Sequence, residues 1–223
     1  MRSGIHAVIA YLGLMFLTAP IAVAGERPTV LTASAFSSTK GTVFLLVNWG
    51  RVWGCKSFEN AQLQGITFAK LPYSGAQDEE LSLKLGSTLF AKILAKNQWV
   101  PYTYVVDPGE YALVAFDLKV AKSTTDIRHL RPVAADFIKD NKPVAGTFRV
   151  AAGEIVYIGH FGVDCTTPDP IPWRYFSVRS EFASDVAEFR KEYPFTKEVP
   201  IQYRLFFTNM IGQMLGVEEY SIK

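Results

Sequence analysis

Runs of β-branched and aromatic residues dominate the hydrophobic pattern of this chain. The clearest run covers residues 41–49, which contain almost no polar position and predict a central strand buried on both faces. Residues 63–71 predict a second strand, which ends at Pro72. Residues 81–97 begin with alternating leucines and continue with a helical spacing, so both a strand and a helix remain open there. The pattern as a whole is typical of a mainly β protein.

Two turn sequences lie between further β-rich runs, and each predicts a strand–turn–strand hairpin. The first turn, Asp107-Pro108-Gly109-Glu110, separates residues 102–106 from residues 111–118. Proline presets φ at the first central position of a type II turn, and glycine accepts the positive φ of the second. The second turn, Ala151-Ala152-Gly153-Glu154, separates residues 147–150 from residues 155–158, with Gly153 supplying the turn conformation.

The strand that follows the first turn is apolar on both faces. Simple alternation places Tyr111, Leu113 and Ala115 on one face, and Ala112, Val114 and Phe116 on the other. We therefore expect both faces of this strand to be covered by other parts of the protein.

Two later segments predict irregular connections. Residues 122–146 are polar and predict a long surface excursion, in which residues 134–139 can form a helical turn. Residues 164–173 contain prolines at 168, 170 and 172 and predict an extended loop without regular structure.

One helix is expected near the C-terminus. Ser184 or Asp185 can cap it, and Val186, Phe189 and Tyr193 then share one helical face. Together with a last strand at residues 201–206, these elements predict an antiparallel β-sandwich with one or two short helices towards the C-terminus. No internal repeat or composition shift marks a boundary, so residues 25–223 are expected to form a single domain.

The first 24 residues have the features of a secretory signal peptide. Arg2 is the only charged residue before Glu26, residues 7–17 are apolar, and Ala22-Val23-Ala24 is a small-x-small cleavage site. An uncleaved membrane anchor is the alternative, but the apolar stretch falls short of the ~20 residues that span a bilayer. We therefore expect cleavage after residue 24, an exported and periplasmic protein, and no membrane span after cleavage.

The charge balance narrows the classes of partner. The 223 residues include 23 Lys and Arg against 21 Asp and Glu, for a net charge of +2. This balance excludes a nucleic-acid binder driven by bulk charge and an acidic disordered tail. An envelope protein or a glycan is the expected partner.

Both cysteines, Cys55 and Cys165, lie in the expected mature chain. In an oxidising compartment the default interpretation is a disulfide between them. The alternative is two thiols, one of them reactive.

The two predicted hairpins carry a resemblance to known proteins. Asp107-Pro108-Gly109-Glu110-Tyr111-Ala112-Leu113 and the segment from Phe148 to Gly159 resemble uncharacterised bacterial exported domains with a prealbumin-like or immunoglobulin-like β-sandwich. The resemblance covers about residues 99–162, under a third of the chain. It implies a sandwich scaffold, and it brings no catalytic residues. Some members are lipoproteins, whereas this chain has no lipidation cysteine after its signal.

A search for catalytic motifs leaves one candidate cluster. The sequence has no nucleophile elbow, phosphate-binding loop, dinucleotide fingerprint or zinc-protease motif. His160 lies close in sequence to Asp164 and Cys165, and an imidazole can activate a thiolate while a carboxylate orients the imidazole. A structural histidine at a strand end, beside a half-cystine, is the favoured interpretation. A metal site would need His160, Asp164 and a third ligand such as His129, and we expect neither metal nor cofactor.

The four tryptophans offer a second type of site. Trp49 is expected in the core, whereas Trp53 and Trp173 are expected in loops rich in glycine or proline and are candidates for a binding surface. We expect Asp164 and Asp169, in the proline-rich loop, to contribute to the same surface. The sequence thus favours a non-catalytic binding or structural accessory module of the envelope. The alternative is a periplasmic hydrolase or thiol enzyme that uses His160 with Cys165 or Asp164.

Overall fold

The structure, a computed structural model, describes residues 27–86, 98–140, 142–166, 170–175, 179–204 and 220–222. The predicted signal peptide, residues 87–97 of the ambiguous segment, and Asp169 lie outside the described residues. Within the described part, two β-sheets pack on each other and a helix covers one of them. The prediction of a mainly β, sandwich-like fold is confirmed.

Sheet I is the larger of the two. Its described strands are β1 (Thr29–Val30), β2 (Gly41–Asn48), β6 (Trp99–Val106), β12 (Ile155–Asp164), β13 (Ile171–Tyr175), β14 (Ile201–Tyr203) and β15 (Tyr220–Ile222). They lie in the order β1-β6-β2-β12-β14-β15, and β13 pairs with the second half of β12. The predicted central strand is β2, and it is buried over nearly its whole length. The pairings of β12 with β2 and β14 are parallel, and the other pairings are antiparallel.

Sheet II is antiparallel throughout its described part. Its strands are β3 (Arg51–Cys55), β4 (Phe58–Lys70), β5 (Leu81–Lys84), β7 (Gly109–Ala121), β8 (Ile127–Leu130) and β11 (Thr147–Val150). They lie in the order β11-β7-β4-β3, with β5 paired to β4 and β8 paired to β7. The predicted strand at residues 63–71 is the second half of β4, and the alternating leucines form β5.

The prediction that two turns form hairpins is wrong for both turns. β6 pairs with β1 and β2 in sheet I, whereas β7 pairs with β4, β8 and β11 in sheet II. In the same way β11 belongs to sheet II and β12 to sheet I. Each turn is therefore a crossing between the sheets. Gly153 has the expected positive φ of 74°, but Gly109, at 159°, does not form a type II turn.

A bulge changes the face that β7 presents to the core. Val114 is an extra residue in β7 relative to the opposing part of β4. Phe116 consequently joins Tyr111 and Leu113 in the core between the sheets, although simple alternation assigns it to the opposite face. Both faces of the first half of β7 are buried, as expected.

Helix α2 (Arg179–Glu192) covers the outer face of sheet I. Phe182, Val186 and Phe189 recur at helical spacing and pack against sheet residues such as Phe44 and Tyr157. The predicted apolar face is confirmed, but Ser184 and Asp185 do not cap the helix. It begins earlier because its apolar face extends back to Phe182.

The two predicted irregular segments contain regular structure. In residues 164–173, Pro172 lies in β13, which is tolerated because the described part of β13 pairs on one side only, with β12. In residues 122–146, β8 extends sheet II, and the expected helical turn is α1 (Ala134–Phe137). It is followed by a ribbon of β9 (Ile138–Lys139) and β10 (Lys142–Pro143). α1 places Phe137 in the core against Phe116.

None of the described helices is long and apolar enough to span a bilayer.

Candidate functional site: a cleft between helix α2 and sheet I

A disulfide between Cys55 and Cys165 connects the two sheets. Cys55 ends β3 of sheet II, Cys165 follows β12 of sheet I, and their Cα atoms are 4.8 Å apart. The predicted pairing is confirmed. The thiol-enzyme alternative loses its nucleophile in this structure, because the sulfur of Cys165 is already bonded.

His160 lies in the middle of β12, and not at a strand end as the sequence suggested. Between Tyr157 and His160 the strand has one more residue than β2 opposite it. Gly159 lies in this bulge with φ of 102°, a conformation that glycine adopts without a side-chain clash. The bulge turns His160 towards the same face as Tyr157, beneath α2, where its exposed fraction is 7%.

Three side chains surround the imidazole of His160. The indole of Trp99 stacks on it, the ring of Tyr157 meets it edge-on, and Asp185 of α2 approaches it. The distance from His160 Nε2 to Asp185 Oδ2 is 3.4 Å, but the two groups are not aligned for a hydrogen bond. Nε2 is buried and makes no hydrogen bond with any atom of the described residues. Among the described side chains, the carboxylate within 4 Å of His160 is thus that of Asp185, which the sequence suggested only as a helix cap.

Asp164 serves a local turn. Its carboxylate is buried and accepts hydrogen bonds of 2.8 Å from the backbone N–H and from the hydroxyl of Thr166. An aspartate that bonds to the residue two positions later is a common way to fix a turn. Here it sets the path of the chain beside Cys165.

The third proposed metal ligand, His129, lies in a different sheet from His160. It is on β8 of sheet II, where its Nδ1 is 2.6 Å from Asp117 Oδ1, and Arg131 donates to the other oxygen of that carboxylate. Within the described ranges, no group of three or more ligating side chains is placed to hold a metal ion.

The tryptophans are divided between core and surface. Trp49 is buried, as predicted, and its Nε1 donates to the hydroxyl of Tyr102. Trp53 is 61% exposed on β3 and carries the guanidinium of Arg51 over its ring at 5.4 Å. It lies on a strand and not in the loop that its glycine neighbours suggested. Trp173 pairs with Gly162 through β13.

One feature with the geometry of a binding site is a cleft between α2 and sheet I, which we call the helix–sheet cleft. Its volume is about 560 Å³. Its floor is apolar and consists of Phe44, Leu46, Trp99, Pro101 and Phe189. Concave sites with apolar walls and few polar groups are the usual form of small-molecule sites.

The rim of the helix–sheet cleft is mostly acidic. Asp185, Glu188 and Glu192 line it from α2, with Lys191 as the one described cation. Lys191 Nζ is 3.6 Å from Glu188 Oε2, so this ammonium already faces a carboxylate. The spacing of the three acidic residues places them beside the apolar stripe of the helix.

Tyr193 and Thr103 complete the rim on the side of β6. Burial raises the pKa of the Tyr193 hydroxyl. A hydrogen bond with Thr103 lowers this pKa, whereas the charge of Glu192 and a hydrogen bond with its side chain raise it. The hydroxyl is therefore protonated at neutral pH.

Trp99 connects His160 to the cleft. It contributes to the floor of the cleft, and its indole stacks on the imidazole. The indole lies over Gly162 of β12, where an added Cβ would come within 3.3 Å of its Cη2 atom. A side chain at position 162 would thus require the ring to shift by a few tenths of an ångström.

No family model matches this chain, and no match was found among curated proteins or solved structures. The site is therefore interpreted from its own geometry, which combines an apolar floor, an acidic rim and a buried histidine behind one wall.

Proposed function

We propose that this protein is an exported, non-catalytic module of the bacterial envelope that binds its ligand in the helix–sheet cleft. The observation that carries the proposal is the cleft of about 560 Å³ with an aromatic floor and a charged rim. Its floor is made by β2, β6 and α2, and elements packed in this way give a site that largely exists before the ligand binds.

The contacts of His160 favour binding over catalysis. A general base has to reach the proton it abstracts, and His160 is buried under Trp99 and beside Tyr157. The nearest carboxylate, Asp185, is not hydrogen-bonded to its ring. These contacts suit a residue that supports one wall of the cleft.

The proposal of export rests on the sequence of residues 1–24 and on the disulfide. Disulfides persist in oxidising compartments, of which the bacterial periplasm is one. An envelope protein or a glycan remains the proposed source of the bound group.

Export is tested by the intact mass of the protein recovered from the periplasm, after thiol alkylation with and without reductant. We expect a chain that begins at Gly25 and is alkylated only after reduction. A mass that begins at Met1 would overturn cleavage.

Binding in the cleft is tested by blocking it at a position that tolerates bulk. Glu188 lines the rim and its side chain is 75% exposed, so Glu188→Trp fills the cleft from the helix surface. Ala187→Trp adds the same side chain at an exposed position of α2 that does not line the cleft. We expect some members of a library of soluble small molecules, screened by ligand-observed NMR, to bind the wild type and Ala187→Trp but not Glu188→Trp. If every bound molecule is retained by Glu188→Trp, the cleft is not the site.

A further inference from the structure

We infer that the ligand group held by the helix–sheet cleft is a substituted ammonium cation, an inference that rests on the proposed function. The first reason is charge. Three carboxylates and one ammonium line the rim, and the ammonium of Lys191 is within ion-pair distance of Glu188. Asp185 and Glu192 then face the cleft without a lysine or arginine partner among the described residues. A cation bound between them would balance their charge.

The second reason is the aromatic floor. Phe44 and Phe189 are almost fully buried and form the base on which the accessible rings rest. Trp99 and Tyr193 line the cleft and are half-buried, and Tyr193 packs on Phe189 at a centroid distance of 5.0 Å. Aromatic faces attract cations, and substituted ammonium groups in particular, because their methyl groups contact the rings while the charge interacts with the π electrons. A fully hydrated inorganic ion would gain little from this floor.

The third reason concerns the environment of Asp185. Its carboxylate accepts a long hydrogen bond of 3.4 Å from the Tyr157 hydroxyl and lies 3.4 Å from the buried, unbonded Nε2 of His160. Neither contact is short, although the carboxylate is largely buried. A partly buried carboxylate is stabilised by a close cationic partner, and the cleft side of Asp185 is where such a partner has room.

A substituted ammonium ligand would lie in the helix–sheet cleft in one orientation. Its ammonium group sits between Asp185 and Glu192, and its substituents contact the half-buried rings of Trp99 and Tyr193. The cation binds as a unit, and no bond is made or broken.

The test compares two probes of nearly the same shape that differ in charge. Choline carries a trimethylammonium group, and 3,3-dimethyl-1-butanol carries the same group with carbon in place of nitrogen. Titrations of the full mature chain, followed by NMR chemical shifts, measure both dissociation constants. We expect choline to bind about tenfold more tightly, which is the order of a cation–aromatic contact reinforced by carboxylates.

Charge variants then locate the cation. Asp185→Asn and Glu192→Gln should each weaken choline binding about threefold or more, while leaving the neutral probe unchanged. Glu192→Gln is the safer variant for folding, because Glu192 is exposed whereas Asp185 packs near His160. Glu59→Gln removes an exposed carboxylate from sheet II and should change neither constant.

The outcomes separate this inference from the proposed function. If both probes bind equally, or if Glu192→Gln weakens both to the same extent, the cation inference is wrong while the cleft remains a binding site. If neither probe binds but the Glu188→Trp variant still loses the binding of other molecules, the cation inference is again wrong. If Glu188→Trp retains the binding of every molecule that the wild type binds, the proposed function fails as well.

Discussion

The indole of Trp99 and the imidazole of His160 are stacked, with ring centroids 4.6 Å apart and ring planes inclined by 15°. Trp99 begins β6 and His160 lies in the middle of β12, so the contact joins two strands of sheet I that are separated by β2. The indole is thus packed against His160 of β12, and the same residue forms part of the floor of the helix–sheet cleft. We expect the stack to hold the floor in place.

Replacing Trp99 should cost stability as well as binding. Trp99→Ala removes a large, half-buried ring, and we expect the free energy of unfolding to fall by about 2 kcal/mol, less than for a fully buried tryptophan. Urea unfolding followed by circular dichroism measures the loss. Trp53→Ala is the control, since that ring is exposed and its removal should change stability by no more than about 0.5 kcal/mol. Equal losses in the two variants would contradict the packing role of Trp99.

The bulge in β12 should depend on Gly159. Alanine at this position would have to adopt a φ of 102°, and we expect Gly159→Ala to reduce stability by about 1–3 kcal/mol. Gly65→Ala is a matched control in β4, because its added Cβ would meet its nearest neighbour at 3.5 Å, an ordinary contact distance. Thermal unfolding of the two variants compares them directly. A Gly159→Ala protein as stable as Gly65→Ala would show that the bulge does not require glycine.

The disulfide should contribute substantially to stability. The double variant Cys55→Ala/Cys165→Ala loses a cross-link between residues 110 positions apart, and we expect a loss of about 3–5 kcal/mol. The wild type should become as unstable as the variant when reductant is added. Unfolding curves with and without reductant check both statements. A wild type that is unaffected by full reduction would mean that packing alone holds the sheets together.

The ion pair of Glu154 with Arg204 should make stability depend on pH. Burial alone would raise the pKa of Glu154, but hydrogen bonds from Arg204 and from the Ala151 N–H, with the charges of Arg204 and Arg149, hold it below 4.5. A lowered pKa in the folded state stabilises the protein above the unfolded-state pKa, and the contribution is lost as pH falls through the folded-state value.

Glu154→Gln should therefore be less stable than the wild type at neutral pH, by about 0.5–1 kcal/mol for a partly exposed pair. The difference should shrink as the pH falls below 4.5. Denaturant unfolding at several pH values measures it. Glu110→Gln, which removes a carboxylate at an exposed position of β7, is the control. A constant difference at all pH values would mean that the carboxylate acts through its shape and not through its charge.

The sequence predicted those parts of the fold that depend on local composition. The apolar run at residues 41–49 predicted the buried strand β2, and the helical spacing of Val186, Phe189 and Tyr193 predicted the face of α2 that packs on sheet I. The pairing of Cys55 with Cys165 followed from there being two cysteines in an expected oxidising compartment.

The errors arose where distant residues decide the outcome. A tight turn between two extended segments fits a hairpin and a crossing between sheets equally well, so the turn at Pro108 could not show that β6 and β7 belong to different sheets. The register shifts that mark the bulges in β7 and β12 depend on the partner strand, and no local pattern identifies them.

The candidate site was missed for the same reason. Trp99 and Asp185 are far apart in sequence, and each looks ordinary in its own segment. The acidic residues of α2 beside its apolar stripe were the available signal, but such residues usually form a solvated face. Only the packing of α2 on sheet I shows that they border a cleft.

The two crossings at residues 107–110 and 151–154 have a consequence for how the chain folds. With the passage from β2 to β3 and the return from β5 to β6, they make the chain alternate between the sheets. Neither sheet is encoded by a continuous stretch of sequence. Sheet II takes strands from β3 to β11, and sheet I takes strands from β1 to β15, so sheet I cannot finish before both ends of the described chain have been made. Long-range pairing of this kind slows folding. A cut between β6 and β7 would also leave both sheets without some of their strands.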